Sequence, residues 1–267
     1  MKNSKAQIIA TIGPASSHPE ILKSMIENNL DAVRMNFSWS DLDKRKEEIK
    51  LIRELSKGFN RRIPIIADLP GPRIQEGRDH TYEKKNISAI TLKDIEFLKF
   101  AAEHGIEYVA VSFVTGASDI EKCRSFVKQF SGKQKIIAKI ERKMALEFLG
   151  EIIDASDAVM VARGDLGNEV PLERMPFIQD KIIKMCKKSG KPVIVATQML
   201  LSMVEKKLPT RAEVTDVAYA ILEGSDAVML SEETASGKYP VEAIIVMKKI
   251  VLEAERHIDS HAIINPL

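Results

Sequence analysis

The chain has 267 residues, 45% hydrophobic and 29% charged, enough for one large core; a single α/β barrel of about 250 residues would use nearly all of it. Forty Lys and Arg against 38 acidic residues leave a net charge of +2, so no strong field draws nucleic acid or an anionic membrane, and 5% aromatic residues argue against a base-stacking surface. No apolar run approaches the roughly 20 residues that span a bilayer, the first seven residues are polar and unlike a signal peptide, and Cys123 and Cys186, in helical, polar-looking stretches without metal spacing, fit a reducing, cytoplasmic compartment.

In chain order, Gln7 to Thr11 reads as a strand closed by Gly13-Pro14. Ser17 is expected to cap a helix over Pro19 to Asn28, with Glu20 completing a capping box. Ala32 to Asn36 is the second strand, and Ser40 or Asp41 caps a charged helix that runs to about Lys57. Ile63 to Leu69 is the third strand, stopped by Pro70-Gly71-Pro72. The polar stretch from Gly77 to Ile90 is an exposed linker or a small hairpin. Thr91 caps a helix from Leu92 to Glu103; Tyr108 to Phe113 is strand four and Asp119 to Phe130 a helix. Lys135 to Ile140 is strand five, and Ala145 to Ile153 a short helix. The small apolar run Ala158 to Ala162 reads as a buried sixth strand. Met175 to Ser189 is a helix ended by Gly190, Pro192 to Ala196 strand seven, and Thr210 to Glu223 a helix with Gly224 past its end. Ala227 to Leu230 is strand eight, and Pro240 to His257 the closing helix.

Eight near-continuously apolar strands alternating with helices predict an α/β fold, a (β/α)₈ TIM barrel forming one domain over residues 1–267. A doubly wound open sheet is the alternative, weakened because the sequence has no Gly-x-Gly-x-x-Gly or Walker motif. In a barrel, catalytic residues come from the C-terminal ends of several strands. Those ends carry Arg34, Asn36 and Ser38 at alternate positions, then Asp68, Ser112, Lys139 and Glu141, Arg163 and Asp165, Thr197-Gln198, and Ser231-Glu232-Glu233. Glu141 and Asp165, on adjacent strands at one level, can converge on a divalent ion; two carboxylates suit Mg²⁺ or Mn²⁺. The plainer reading of each is a salt bridge, and for Asp165 also an N-capping role. Lys139 beside a metal could stabilise an enolate or a transferring phosphoryl oxygen, or simply pair with Glu141 or Asp165. Arg34 could hold phosphate as a planar fork, or pair with Asp68. Thr197 with the Gly164 and Asp165 amides could hold a small carboxylate. The five histidines, His18, His80, His104, His257 and His261, read as solvated surface.

These residues carry a resemblance to the pyruvate kinase family. The matching stretches are Ile9-Ala-Thr-Ile-Gly-Pro-Ala-Ser16, Arg34-Met-Asn-Phe-Ser38, Asp68 with Gly71-Pro72, Ser112-Phe-Val114 and Lys139-Ile-Glu141. They continue with Met160-Val-Ala-Arg-Gly-Asp-Leu-Gly167, Gly190 to Leu200, Pro209-Thr-Arg-Ala-Glu213 and Asp226-Ala-Val-Met-Leu-Ser231. The resemblance covers nearly the whole chain. It implies phosphoryl transfer from phosphoenolpyruvate to ADP, with Mg²⁺ or Mn²⁺ and usually K⁺. By position it implies that Glu141 and Asp165 hold the metal and that Lys139 stabilises the phosphoryl group and the enolate. Arg34 would contact phosphate, and Thr197, Gly164 and Asp165 would hold the pyruvate moiety. Lys139, Arg34 and Thr197 form the expected catalytic set, Ser112 joins the substrate-binding set, and Asn36, Ser38 and Asp68 match the family's ligands for the monovalent cation.

The departures define the questions. The family inserts a lid domain after the third strand, where this chain has only the stretch 77–90, and it carries a regulatory C-terminal domain without a counterpart here. Leu69 replaces a threonine cation ligand, Arg73 a glutamate, Gln75 an arginine on the nucleotide side, and Trp39 a histidine. Arg73 adds a fixed charge where Leu69 removes an oxygen, so K⁺ is expected not to be required. The expectation is a pyruvate kinase-like enzyme acting on a small molecule, with no nucleic-acid or membrane partner, no response to sugar phosphates, and a homo-oligomer left open. The alternatives are metal-dependent enolate chemistry on a 2-oxo acid without nucleotide, of decarboxylase or aldolase type, and a non-catalytic binding protein.

Overall fold

The computed structural model describes residues 4–39, 41–76, 79–82 and 88–261; the side chains of residues 39, 74–76, 79–82 and 259–261 lie outside that description. The chain runs β1 (Gln7–Ile12), α1 (Pro19–Glu27), β2 (Ala32–Asn36), α2 (Leu42–Gly58), β3 (Ile65–Asp68), β4 (Arg73–Glu76), β5 (Asp79–Tyr82) and α3 (Leu92–Glu103). It continues with β6 (Tyr108–Val111), α4 (Ala117–Gln129), β7 (Lys135–Ile140), α5 (Leu149–Ala155), β8 (Ala158–Ala162), α6 (Arg163–Gly167) and α7 (Met175–Lys188). It closes with β9 (Val193–Ala196), α8 (Arg211–Leu222), β10 (Ala227–Leu230), α9 (Glu232–Ala235) and α10 (Pro240–His261).

Eight strands form a closed parallel barrel in the order β1-β10-β9-β8-β7-β6-β3-β2, which is the expected (β/α)₈ fold; β4 and β5 form a separate antiparallel pair. Apolar side chains of the strands divide between two cores. One set faces outward onto the helices, with Ile8, Val33, Ile65, Val109, Ile136, Val159, Val193 and Val228. The other fills the barrel, where Ile9, Ile66, Ile137 and Ile194 come from alternate strands and form one layer. Because the strand period is two, the next inward residue on three of these strands is Thr11, Asp68 or Lys139, and on the fourth Ala196. The isoleucine layer is therefore the floor on which the polar residues stand.

The N-terminal end of the barrel repeats one device four times. Asp31, Glu107, Asp157 and Asp226 each immediately precede a strand. Their carboxylates accept the amides of Ile8, Ile65, Ile136 and Val193 on the neighbouring strand, at 2.9, 2.9, 2.8 and 2.9 Å. Each acid also pairs with a base, Arg61 at 3.1 Å, Arg53 at 2.9 Å, Arg124 at 3.0 Å and Lys187 at 2.7 Å respectively. This ties the strands in pairs and satisfies amides that would otherwise end the ladder unpaired.

Several local expectations change. α1 is capped by His18 without a side-chain bond, not by Ser17 with Glu20. Pro19, at the first helical position, has no amide to be capped, and the Ser17 amide is tied back to the Gly13 carbonyl. The Ala145–Ile153 helix is a 3₁₀ turn (Lys143–Leu146) followed by α5. Both cysteines face the core from α4 and α7, and burial pushes their thiols up to about 12. The hairpin expected within 77–90 begins earlier, with Arg73 opposite Tyr82. The caps of α2 (Asp41) and of α3 and α8 (capping boxes Thr91/Asp94 and Thr210/Glu213) form as residue chemistry dictates.

Candidate active site at the C-terminal mouth of the barrel

The strand ends enclose a cavity of about 450 Å³ lined by Arg34, Asn36, Asp68, Arg73, Lys139, Glu141, Gly164, Asp165 and Thr197, over a floor of Met160, Ala162 and Met229. Lys139 is its centre. Its ammonium, 6% exposed, lies 2.9 Å from Asp68 Oδ1 and 2.8 Å from Glu141 Oε1, and it donates to Ser112 Oγ at 2.7 Å. All three partners arrive from different strand ends, β3, β6 and β7. Asp68 is held on its other oxygen by Arg34 Nε at 2.6 Å, and Arg34 Nη1 donates to Thr11 Oγ1 at 3.1 Å. Glu141 Oε2 accepts the Phe113 amide at 2.7 Å. The ion pairs weighed against function for Lys139 and Arg34 do form, with Asp68 and Glu141 as partners.

Burial works against all of these charges, and the neighbours decide the outcome. For Asp68, burial alone would raise the carboxyl; Arg34 and Lys139 reverse this and hold it at about 2. For Lys139, burial would lower the ammonium, but Asp68 and Glu141 outweigh it and raise it above the ordinary lysine value. Glu141 goes the other way. Burial is the largest effect, Lys139 opposes it, Asp165 and Asp68 add to it, and the carboxyl is pushed up to about 7. Its destabilised charge and the facing Asp165 carboxylate form a donor set of hard oxygens that fits one divalent ion. Among the described residues no group of three or more His, Cys, Asp or Glu is arranged to hold a metal ion. Such an ion would thus take two protein carboxylates and complete its shell with water and substrate, as Mg²⁺ does.

Asp165 does not cap a helix: it sits inside the one-turn helix α6, whose N-cap is Ala162. Thr197 and Gly164 meet, but the Gly164 amide donates to Thr197 Oγ1 at 2.7 Å, and that hydroxyl donates to the Ala196 carbonyl at 2.6 Å. The amide expected to face a substrate carboxylate is thus bonded to the threonine. Ser38 does not continue the inward alternation of Arg34 and Asn36. It lies in a 3₁₀ turn (Phe37–Trp39) with its amide on Asn36 Oδ1 at 3.0 Å, outside the cavity lining. Arg163 turns away to Asp216 at 2.6 Å and to the Thr197 carbonyl at 2.9 Å. Arg73 Nη2 comes to 3.9 Å from Asp165 Oδ2. The side chains of Trp39 and Gln75 lie outside the described set, as do those of His80 and His261. His18 and His257 are exposed, while His104 is half-buried and stacks on Phe100 at 4.1 Å.

Three features escaped the sequence. Thr11 supports Arg34; its inward position, two residues after Ile9, was the available signal. Glu233 is fully buried, and its carboxylate accepts the amides of Leu200 and Ser231 at 3.0 and 2.7 Å. The string Ser231-Glu232-Glu233 does not say which glutamate turns inward. Finally, Phe113, Thr197 and Gln198 adopt left-handed backbone, with φ of 57°, 71° and 53°. Such residues cost about 1–3 kcal/mol each and gather at functional sites; for β-branched Thr197 the conformation is an outlier.

Comparisons with known proteins agree with this fold. A family model described as pyruvate kinase, barrel domain, matches residues 3–88 and 79–244, two stretches that overlap between β4 and α3. A pyruvate kinase of Thermococcus litoralis is 37% identical over 336 aligned positions, covering 96% of this chain and 71% of the relative. One from Mycobacterium tuberculosis is 34% identical, covering 95% and 71%, and one from Thermotoga maritima 33%, covering 95% and 72%. The aligned lengths exceed the 267 residues of the chain, so these relatives carry internal sequence without a counterpart here.

Proposed function

The chain belongs to the pyruvate kinase family as a pyruvate kinase-type phosphotransferase, and from that premise we propose that it moves a phosphoryl group between phosphoenolpyruvate and ADP, giving pyruvate and ATP. The observation that carries this reading is the buried network of Lys139 with Asp68, Glu141 and Ser112. A lysine kept charged in a dry site stabilises negative charge where it develops, on a transferring phosphoryl group or an enolate oxygen. Arg34, fixed by Asp68 and Thr11, presents its remaining guanidinium donors to phosphate. Thr197, Gly164 and Asp165 border the place for the substrate carboxylate; binding there requires the Gly164–Thr197 bond to open or be shared. Glu141 and Asp165 would hold Mg²⁺ or Mn²⁺, which when bound supplies Lewis-acid charge neutralisation. Asn36, Ser38, Asp68 and Arg73 form the monovalent-cation region on this reading, and the Arg73 guanidinium supports K⁺-independent activity. A cytoplasmic enzyme of small molecules, without nucleic-acid or membrane partners, is part of this reading, with a homo-oligomer compatible with it.

The test is pyruvate formation from phosphoenolpyruvate and ADP with Mg²⁺ or Mn²⁺, with K⁺ or a bulky organic cation. ADP-dependent turnover is expected at similar rates with either monovalent cation. A large stimulation by K⁺ would remove the role given to Arg73.

The β4–β5 hairpin favours a second reading. It occupies the position assigned to the lid, and an open mouth admits water to the nucleotide side. On this reading the same residues stabilise the enolate of a 2-oxo acid without nucleotide. Oxaloacetate decarboxylation without ADP, together with no phosphoryl transfer, would select it.

A further inference from the structure

The barrel has a second hollow, at the end opposite the candidate active site. It holds about 350 Å³. Its floor is the isoleucine layer, Ile9, Ile66, Ile137 and Ile194, seen from the side away from the charged network. The next inward layer toward the N-terminal end comes from the alternate strands β2, β6, β8 and β10, and consists of Ala32, Tyr108, Ala158 and Ala227. Bulky branched side chains ordinarily close such a layer. Three methyl groups and one tyrosine do not, so the bore stays open down to the isoleucines. Gln7, Pro64, Lys135 and Pro192, each two residues before a floor isoleucine, form the rim.

The charges at this rim differ in how they are spent. Asp157 and Asp226 border the hollow, but each already accepts a strand amide and pairs with a base that does not line it, Arg124 at 3.0 Å and Lys187 at 2.7 Å. Lys135 is exposed, and its ammonium makes no hydrogen bond or ion pair with the described residues. The Tyr108 hydroxyl has no partner among them either, while its ring is half-buried against the inner core. Tyr108 and Lys135 are register partners on β6 and β7, so the two groups stand side by side. An apolar floor and wall with a few polar groups at one edge is how small-molecule sites are built, and the volume lies within their usual range.

We propose that the N-terminal mouth of the barrel binds a small aromatic monocarboxylate. The ring takes the space that the three alanines leave over the isoleucine floor, and meets the Tyr108 ring, with which an aromatic body gains more than its buried area alone. The carboxylate stays at the rim beside the Lys135 ammonium and the Tyr108 hydroxyl. Asp157 and Asp226 flank the entrance and disfavour a second negative charge on the ligand. The isoleucine layer separates this site from the catalytic mouth, and the proposal does not depend on the reaction assigned there.

The test is titration with phenylacetate, followed by nuclear magnetic resonance of isotope-labelled alanine and methionine methyl groups. Ala32 and Ala227 report the N-terminal hollow, and Met160 and Met229 the catalytic cavity. Saturable shifts of Ala32 and Ala227 are expected, with Met160 and Met229 unmoved. The dissociation constant should be about 0.1–1 mM, as suits a ligand of about ten non-hydrogen atoms. Ala158→Leu fills the hollow and should abolish the shifts. Lys135→Gln, an exposed substitution that leaves the core untouched, should weaken binding about two- to fivefold, the worth of an exposed ion pair. Neutral phenylacetamide should bind the unmodified protein more weakly by a similar factor. Shifts confined to Met160 and Met229, or no saturable shift of Ala32 and Ala227, would overturn the site. Equal affinity for phenylacetate and phenylacetamide, or undiminished binding by Lys135→Gln, would overturn the carboxylate as the ligand's recognised group.

Discussion

The two ends of this barrel use the same residue types in opposite ways. At the N-terminal end, each of four acids accepts a strand amide and pairs with a base, three on helices and Arg61 in the loop after α2, so every charge is matched locally. At the C-terminal end, acids and bases from different strands meet each other across the mouth, beside three residues in left-handed backbone. The first arrangement ties strand to strand and stabilises the fold. The second keeps charges buried and the backbone strained, and its groups can exchange partners. The difference teaches where to look in a barrel: for charges that face one another rather than the chain's own amides.

The comparison breaks most severely at Lys139. Lys139→Ala leaves Asp68 and Glu141 buried without their shared cation, and removing one partner of such a network costs about 3–5 kcal/mol. Urea unfolding should register that loss, and turnover should vanish. A smaller stability loss would mean that water already screens the site. Next, Asp157→Ala at the other end should cost about 1–3 kcal/mol, because the Ile136 amide loses its acceptor. Pyruvate formation per folded molecule should stay unchanged; reduced turnover would show that the two ends are coupled.

Acidity separates the ends further. Asp68 is held at about 2, below its ordinary range. Its contribution to stability is therefore present above pH 4 and lost as pH falls from about 4 to 2. Glu141, raised to about 7, must be deprotonated to hold a cation. Mn²⁺ affinity should then fall below pH 7, approaching tenfold per pH unit. An affinity flat between pH 6 and 8 would exclude Glu141 as a ligand. The smallest effect is expected at a helix cap outside the charged network. Thr210→Ala removes the cap of α8 and should cost about 1 kcal/mol in thermal unfolding, with kinetic constants unchanged.

Much of this was legible in the chain itself. Eight apolar runs, spaced by capped helices, leave few arrangements other than a parallel barrel. The boundaries of β7, β8, β10 and α3 coincide with their hydrophobic and capping signals. Lys139 and Glu141, two apart on one strand, had to share a side of the sheet, and position in the family's motifs singled out Arg34, Asp165 and Thr197. Strand period did not show that Ser38 leaves the alternation, although the bond that turns the chain there is local, the Ser38 amide donating to Asn36 Oδ1 two residues back. Nor could it tell that Arg163 serves Asp216 on α8, fifty-three residues away. The same limit hid the bond between Gly164 and Thr197, the inward turn of Glu233 rather than Glu232, and the reach of Arg73 to Asp165. Period and propensity act over a few residues, and they determined the strands, the helices and which side chains face inward. Which charge meets which was decided by barrel closure, because only closure brings distant strand ends within the few ångströms over which buried charges choose partners.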